Sequence, residues 1–215
     1  MTDLYLMKTS EAARLPAGFC RERFPLRFGR AERLSGRAAA LGSIAGGALI
    51  ARVLGAREDE ISRGVCGKPY LTGGGRQFSL AHSGGYALLA VSDGEIGADI
   101  EAPGVCRDDA ARRAFTADEL EWMRADPDKR FFELWTAKES LVKLDGRGLS
   151  LGLQSFSALE LVREGAMSFR GRRVFGCAAV YDGYRIALCA YEKLCAPALI
   201  QLTAEDVLEK TTAPL

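Results

Sequence analysis

Two short segments combine acidic, basic and aromatic residues at spacings that suit chemistry. In a strand, Asp99 and Glu101 would share one face, because side chains alternate along the strand. In a helix, Trp135, Glu139 and Lys143 would share one face, because residues four apart are neighbours. Three carboxylates beside a cation indicate a hard metal ion such as Mg²⁺ held against a phosphate, in preference to zinc or a redox metal.

Each of these residues also has a simpler interpretation. Asp99 and Glu101 are compatible with a solvated strand face, and Glu139 with Lys143 is compatible with a surface ion pair. The apolar residues around both segments argue against full exposure, and a partly buried carboxylate needs a cation to offset its desolvation. A lone histidine such as His82 is usually a packed or surface residue. For none of these residues does spacing alone distinguish a functional role from a structural one.

The bulk properties exclude several classes of protein. The chain has 215 residues, a formal net charge of +1, 48% hydrophobic residues and 27% charged residues, as in an ordinary folded protein. Such a balance predicts no binding of nucleic acid or anionic membrane through net charge. The apolar run 38–51 is too short for a membrane span and predicts a buried helix. Six scattered cysteines and the lack of a leader predict reduced thiols and a cytoplasmic location.

The elements that must position the candidate residues follow from hydrophobic patterning and turn signals. We expect strands at 4–7 and 78–82, a helix at 38–54, a hairpin joining 86–91 to 96–100, a helix at 131–144 and a second hairpin joining 174–181 to 184–191. Gly85-Tyr86 and Gly183-Tyr184 each open an apolar strand. This repeated Gly-Tyr pattern suggests a duplicated helix-plus-hairpin unit.

Several motifs in one order resemble those of the Sfp-type 4′-phosphopantetheinyl transferase family. They lie between Gly67 and Leu151. The blocks are Gly67-Lys68-Pro69, the segment 78–84 around His82, the Asp99-Ile100-Glu101 block, Phe115 with Glu119, and the segment 131–148 that contains Trp-Thr-Ala-Lys-Glu-Ser-Leu-Val-Lys.

This resemblance implies a fold and an activity. The fold is α+β, a pseudo-twofold pair of similar subdomains with helices on antiparallel sheets: 1–97 on the coenzyme A nucleotide side, 98–210 with the metal and catalytic residues, and a tail at 211–215. The activity is Mg²⁺-dependent transfer of the phosphopantetheine arm of coenzyme A to a serine of an acyl or peptidyl carrier protein. A monomer is expected, with no nucleic-acid or membrane partner.

The resemblance also implies roles for individual residues. Mg²⁺ ligands are assigned to Asp99, Glu101 and Glu139, with Glu139 and Lys143 as catalytic residues. Coenzyme A contacts are assigned to Lys68, Pro69, His82, Ser83, Lys138, Lys143, Arg30 and Arg37, the two arginines by proximity in an N-terminal cluster. The family often has a hydroxyl residue where this chain has Ala81, which predicts one missing phosphate contact.

Two other functions use the same residues. One is a Mg²⁺-dependent phosphohydrolase acting on a small phosphate ester, and the other is a coenzyme A-binding module without catalysis. Turnover of coenzyme A with an apo carrier protein distinguishes both from the transferase.

Overall fold

A computed structural model describes residues 1–209. Within that range the chain forms ten strands: β1 Thr2–Lys8, β2 Ile61–Arg63, β3 Pro69–Leu71, β4 Gln77–Ser83, β5 Tyr86–Ser92, β6 Ile96–Glu101, β7 Ala166–Phe169, β8 Arg172–Tyr181, β9 Tyr184–Ala190 and β10 Ala198–Leu202. The helices in the same range are α1 Thr9–Ala12, α2 Ala17–Arg23, α3 Pro25–Ala31, α4 Arg37–Val53, α5 Asp108–Ala114, α6 Ala117–Met123, α7 Pro127–Asp145, α8 Leu159–Glu164 and α9 Ala204–Glu209.

The strands form two four-stranded sheets and a small hairpin. The first sheet has the order β10-β1-β5-β4, the second has the order β6-β9-β8-β7, and β2 pairs with β3. All pairs are antiparallel except β1 with β10. The inner faces of the two sheets meet in one apolar core, where Leu6 and Leu88 of the first sheet pack with Ile100 and Ile186 of the second.

One long helix covers the outer face of each sheet. Ala45, Ala48 and Leu49 of α4 pack on the first sheet, and Leu141 of α7 packs on the second. The two halves are therefore similar helix-on-sheet units, as the repeated Gly-Tyr signal indicated. Tyr86 and Tyr184 open corresponding strands, and their rings contact each other at a centroid distance of 4.9 Å. The α+β fold with a pseudo-twofold pair of subdomains is confirmed.

Most predicted elements are present, but one predicted hairpin is wrong. Strand β5 pairs on its two edges with β1 and β4, whereas β6 pairs with β9 in the other sheet. The turn at 93–95 therefore carries the chain from one sheet to the other. Because β6 pairs as one unit, the predicted boundary between residues 97 and 98 falls inside a strand. The predicted tail 211–215 lies outside the described residues.

The helix predicted at 38–54 is also present and is buried on one side, as α4. Within residues 1–209, no helix combines the length and the apolar character that crossing a bilayer would need. All six cysteines are free thiols.

Candidate active site

The candidate site lies where β6 meets α7. Gly97 of β6 makes this close contact possible, because a Cβ atom there would lie 1.9 Å from Ser140 O and 2.4 Å from Leu144 N. The backbones therefore touch, and Asp99 and Glu101, which lie on the same face of β6 as Gly97, contact side chains of α7. At the far end, Gly146 ends α7 in the left-handed conformation, with φ 79°.

Asp99 is the most buried of the three carboxylates. Its side chain is 8% exposed, and Oδ1 accepts a hydrogen bond from Lys143 Nζ at 2.7 Å. Its Oδ2 atom is buried and has no partner among the described residues. Burial raises the pKa of Asp99 to about 7, with a smaller contribution from the negative charges of Glu101 and Glu139, and against the opposing effect of Lys143. A carboxylate in this setting requires a cation.

Glu101 is held by two donors from separate elements. Ser83 Oγ donates to Oε2 at 2.7 Å, and Trp135 Nε1 donates to Oε1 at 3.1 Å. Ser83 Oγ in turn accepts from Ala102 N at 3.1 Å. The structure thus brings Ser83 to the site, but its hydroxyl is engaged with the protein and orients Glu101. The contact of Ser83 with coenzyme A stays a prediction.

Glu139 and Lys143 lie on one half-buried face of α7, as their spacing predicted. Burial raises the pKa of the Glu139 carboxyl, Lys143 opposes this shift, and Glu101 adds to it. Both residues line a cavity of about 250 Å³ together with Lys68 and Pro69 of the first half. The structure therefore brings residues from both halves to one cleft.

Lys68 connects the β2–β3 hairpin to the end of α7. Its Nζ donates to Leu144 O at 3.0 Å, at the carbonyl end of the helix, where a cation is favoured. Burial lowers the pKa of Lys68, although the carboxylates of Glu95 and Asp145 oppose that shift. Lys68 therefore lines the cavity and also joins the first half to the end of α7.

His82 is exposed at the end of β4 and lies against α4. A Cβ atom at Gly42 would be 3.0 Å from His82 Cγ, so the helix approaches the ring closely. Its pKa is lowered, first by desolvation and then by the positive charges of Lys143 and Arg27. The ring is therefore neutral near pH 7 and lies in a positive field that suits an anion.

The sequence analysis missed Arg27. It belongs to α3, its side chain packs against α4, and it lines a second cavity of about 270 Å³ with Arg30. Desolvation lowers its pKa, and Arg30 and Arg63 add to this effect. Arg30 therefore lies near the site, because it lies beside Arg27. Arg37 is exposed in the first turn of α4, and no contact among the described residues joins it to the cleft.

Lys138 does not face the cleft, and the prediction that it contacts coenzyme A is wrong. Its side chain is 1% exposed and forms an ion pair with Glu119 at 2.5 Å. Its Nζ also donates to the carbonyl oxygens of Ala114, Leu153 and Phe156 at 2.8 to 3.0 Å. With its three donors occupied, Lys138 joins α7 to three neighbouring segments. One feature of the sequence could have indicated this structural role of Lys138. Glu119 is the acid of an N-terminal capping box, and such an acid can also pair with a buried lysine.

The sequence predicts that a phosphate contact is missing at Ala81, and the structure explains why a hydroxyl there would not supply one. Ala81 is buried in the core between the sheets, so a hydroxyl there would point into apolar surroundings and away from the cleft. The nearby Ser79 has another task. Its Oγ accepts from Ala98 N at 2.9 Å and joins β4 to β6, which brings the two halves together beneath the site.

The three carboxylates do not form a ready-made metal cage. Among residues 1–209, no group of three or more His, Cys, Asp or Glu side chains is arranged to hold a metal ion. Lys143 contacts Asp99, and Glu101 is turned to Ser83 and Trp135. The unpartnered Oδ2 of Asp99 nevertheless fits a hard cation. Mg²⁺ in particular usually binds one or two carboxylates together with substrate phosphates and waters.

Comparison with known proteins shows which family the region of the site is similar to. Residues 95–189, which carry β6, α7 and most of the second sheet, match the 4′-phosphopantetheinyl transferase superfamily. The chain is 34% identical to the 4′-phosphopantetheinyl transferase psf-1 of Bacillus pumilus over 62% of this chain and 60% of that protein. It is 34% identical to the 4′-phosphopantetheinyl transferase Sfp of Bacillus subtilis over 53% of this chain and 54% of that one. A similar match, 38% identical, covers 44% of this chain and 42% of the putative transferase slr0495 of Synechocystis.

The chain is thus similar to the 4′-phosphopantetheinyl transferase superfamily over residues 95–189, which are less than half of its length. Its Bacillus relatives include the transferase Sfp, whose type the motifs resemble. The matched regions span 42% to 60% of these three relatives' own length, so the chain matches about half of each.

Proposed function

We propose that this protein transfers the 4′-phosphopantetheine moiety of coenzyme A to a serine hydroxyl of an acyl or peptidyl carrier protein and releases adenosine 3′,5′-bisphosphate. One observation carries the proposal. The buried carboxylate of Asp99 has one oxygen on Lys143 and one without a partner, and it feels the charges of Glu101 and Glu139, at the positions that match the family motifs. The proposal includes a cytoplasmic location, which the free thiols support.

The reaction requires an in-line displacement at phosphorus. The serine oxygen bonds to the β-phosphorus of coenzyme A, and the bond from that phosphorus to the bridging oxygen breaks. The adenosine 3′,5′-bisphosphate departs with the electron pair of the broken bond. The serine proton passes to a base, for which Glu139 is the candidate, because burial raises its pKa above the ordinary value and so makes it a stronger base.

Charge on the transferring phosphate needs stabilisation from the cleft. Asp99, with Glu101 and Glu139, would hold Mg²⁺, which when bound neutralises the pyrophosphate oxygens. Lys143 lies 2.7 Å from Asp99 and would move to a phosphoryl oxygen when Asp99 binds the cation. Binding the cation also relieves the repulsion among the three carboxylates.

The remaining contacts orient coenzyme A. The charges of Arg27 and Lys143 give the surroundings of His82 a positive potential that suits the 3′-phosphate, and Lys68 with Pro69 lines the nucleotide side of the cleft. Arg30 contributes to the same field through its proximity to Arg27. Lys138 has no part in this proposal, because it is buried against Glu119.

Incubation with coenzyme A, MgCl₂ and a panel of apo carrier proteins tests the function. The expected result is a mass gain on a carrier serine equal to the phosphopantetheine moiety, read by intact mass spectrometry. Glu139→Gln should abolish the gain. The matched control is Glu133→Gln, because Glu133 lies on the same helix but pairs with Arg185, away from the cleft. Phosphate release without carrier modification would favour a phosphohydrolase, and binding without either would favour a coenzyme A-binding module.

A further inference from the structure

Two tyrosines join the halves of the molecule next to the candidate site. Tyr86 follows the β4–β5 turn of the first half, and Tyr184 follows the β8–β9 turn of the second half, so the two occupy corresponding positions. Each hydroxyl reaches the turn that precedes the other tyrosine. Tyr86 Oη donates to Asp182 Oδ2 at 2.9 Å. Tyr184 Oη accepts from Gly85 N at 2.8 Å. Each half therefore supports one turn of the other half.

The two turns differ at their first residue. Gly84 and Asp182 both have a left-handed backbone, with φ of 51° and 50°. Asp182 bonds the opposite tyrosine through its side chain. Gly84 has no side chain, and a Cβ atom there would lie 2.8 Å from Tyr184 Oη, so the hydroxyl occupies that space. Tyr184 can therefore reach the backbone N–H of the next residue, Gly85.

Both backbone groups of Gly85 have partners outside the β4–β5 hairpin. Its N–H donates to Tyr184, and its carbonyl accepts from Thr9 N at 2.9 Å. The central residues of a two-residue turn need such partners, because an unpaired backbone group away from water destabilises the fold. Of these two contacts, the one from Tyr184 comes from the second half. The hydroxyl therefore holds this turn against the second half.

The β4–β5 turn comes directly after two candidate site residues. His82 and Ser83 are the last residues of β4, and Ser83 Oγ donates to Glu101 Oε2 at 2.7 Å. Ser83 Oγ also accepts from Ala102 N at 3.1 Å. A Cβ atom on Gly84 would lie 3.0 Å from Ala102 Cβ, so the turn packs against the residue that follows β6. None of the candidate site residues adjoins the β8–β9 turn.

We propose that Tyr184 is a positioning residue for the proposed metal site. It holds the β4–β5 turn through Gly85, and Ser83 beside that turn holds Glu101. Tyr86 makes the corresponding contact on the other turn, so of the two tyrosines Tyr184 is the one that affects the site. This inference rests on the proposed function for the role of Glu101 as a Mg²⁺ ligand.

The NMR signals of the tryptophan indoles test the positioning without coenzyme A, Mg²⁺ or a carrier protein. Trp135 Nε1 donates to Glu101 Oε1 at 3.1 Å, so its indole N–H resonance reports how that carboxylate is placed. The chain has two tryptophans, and Trp122→Phe assigns their signals. Tyr184→Phe removes the hydroxyl, keeps the ring and should shift the Trp135 resonance. Tyr86→Phe is the matched control and should leave that resonance unchanged.

Calorimetric titration with coenzyme A, in the presence and absence of MgCl₂, measures the consequence for binding. Removing a group that orients a metal ligand weakens metal binding by roughly 10- to 100-fold, and Tyr184 acts one contact further away, so Tyr184→Phe should raise the dissociation constant with MgCl₂ by about threefold or more. The dissociation constant without MgCl₂ should not change. In a Ser83→Ala background, Tyr184→Phe should add less than about twofold, because both residues act through Glu101.

An unchanged Trp135 resonance in Tyr184→Phe, or equal shifts in Tyr184→Phe and Tyr86→Phe, would overturn the proposal. So would a Tyr184→Phe protein that keeps the full Mg²⁺-dependent gain in coenzyme A binding of the wild type. A wild type that binds coenzyme A equally with and without MgCl₂ would instead contradict the proposed function. The indole signals would in that case still decide whether Tyr184 positions Glu101.

Discussion

At the scale of single residues, the central feature is a carboxylate that the protein buries without fully pairing. Asp99 has one oxygen on Lys143 and one oxygen without a partner. Its raised pKa means that the metal-free protein is more stable when Asp99 is protonated. The group therefore contributes stability that is present below its ordinary pKa of 3.8 and is lost as the pH rises toward about 7.

Asp99→Asn should consequently stabilise the metal-free protein above pH 7, by up to about 4 kcal/mol, and change its stability little near pH 4. Urea unfolding of both proteins across this pH range measures the difference. Adding MgCl₂ and coenzyme A at pH 8 should raise the Tm of the wild type more than that of the variant. An advantage of Asp99→Asn that does not vary with pH would contradict the assignment.

His82 is expected to act on binding more than on the chemical step. Its ring lies in the positive field assigned to the 3′-phosphate, away from the bond that breaks. His82→Ala should therefore raise KM for coenzyme A more than it lowers kcat, because such a contact is nearly equal in the ground and transition states. With 3′-dephospho-coenzyme A the variant should lose little further. Equal losses with both substrates would indicate a structural histidine.

Lys138 is expected to act on folding. Lys138→Met leaves Glu119 buried without its cation, which should lower the free energy of unfolding by about 3 to 5 kcal/mol. The KM for coenzyme A of the folded fraction should not change. Lys129→Met is the matched control, because Lys129 lies on the same helix in an exposed pair at 3.9 Å, worth under about 0.5 kcal/mol. A stable Lys138→Met protein with weakened coenzyme A binding would restore the role predicted from sequence.

At the scale of elements, the site depends on how closely β6 and α7 approach. Asp99 and Glu101 come from the strand, whereas Glu139 and Lys143 come from the helix. The contact at Gly97 determines the distance between the two elements, because backbone atoms of α7 occupy the position of its missing side chain.

Gly97→Ala should therefore separate the two elements and lower the free energy of unfolding by about 3 kcal/mol or more, as overpacking against backbone cannot be relieved by a rotamer change. Transfer should be lost even at temperatures where the variant is folded. Gly73→Ala is the control, because a Cβ atom there meets nothing within 4 Å. Urea unfolding and the carrier assay give the two readouts, and a Gly97→Ala protein with wild-type values in both would contradict this account.

At the scale of the whole molecule, the two similar halves are joined by one core. The inner faces of both sheets pack together, and Ser79 links β4 to β6 at the base of the site. Lys68 adds a link from the first half to the end of α7. Neither half buries its inner sheet face alone, so the halves should unfold together.

The two tryptophans allow this to be measured. Trp122 and Trp135 both belong to the second half, so their fluorescence reports that half, whereas far-UV circular dichroism reports helices of both halves. We expect the two signals to change in a single coincident transition on heating or in urea. A circular dichroism change that precedes the fluorescence change would mean that the first half unfolds separately.

Local features of this protein were readable from the sequence. The strand at 78–82, the helix at 131–144 with its stop at Gly146, and the hairpin across Asp182-Gly183 all depend on neighbouring residues, through hydrophobic period and turn chemistry. The shared face of Glu139 and Lys143 follows from helix geometry in the same way. The resemblance to family motifs led to the proposed chemistry, because those motifs consist of residue types in a fixed order.

Tertiary packing decided how the strands pair and which face of α7 borders the cleft, because both depend on residues far apart in the chain. The turn at 93–95 has the sequence of a hairpin, yet β5 finds both its partners in the first sheet and β6 pairs across to β9. Lys138 and Lys143 are equally basic, but α7 packs so that one is buried on Glu119 and the other reaches Asp99. Helix period relates the faces of α7 to one another, but only the sheet and helices packed around it determine which face borders the cleft.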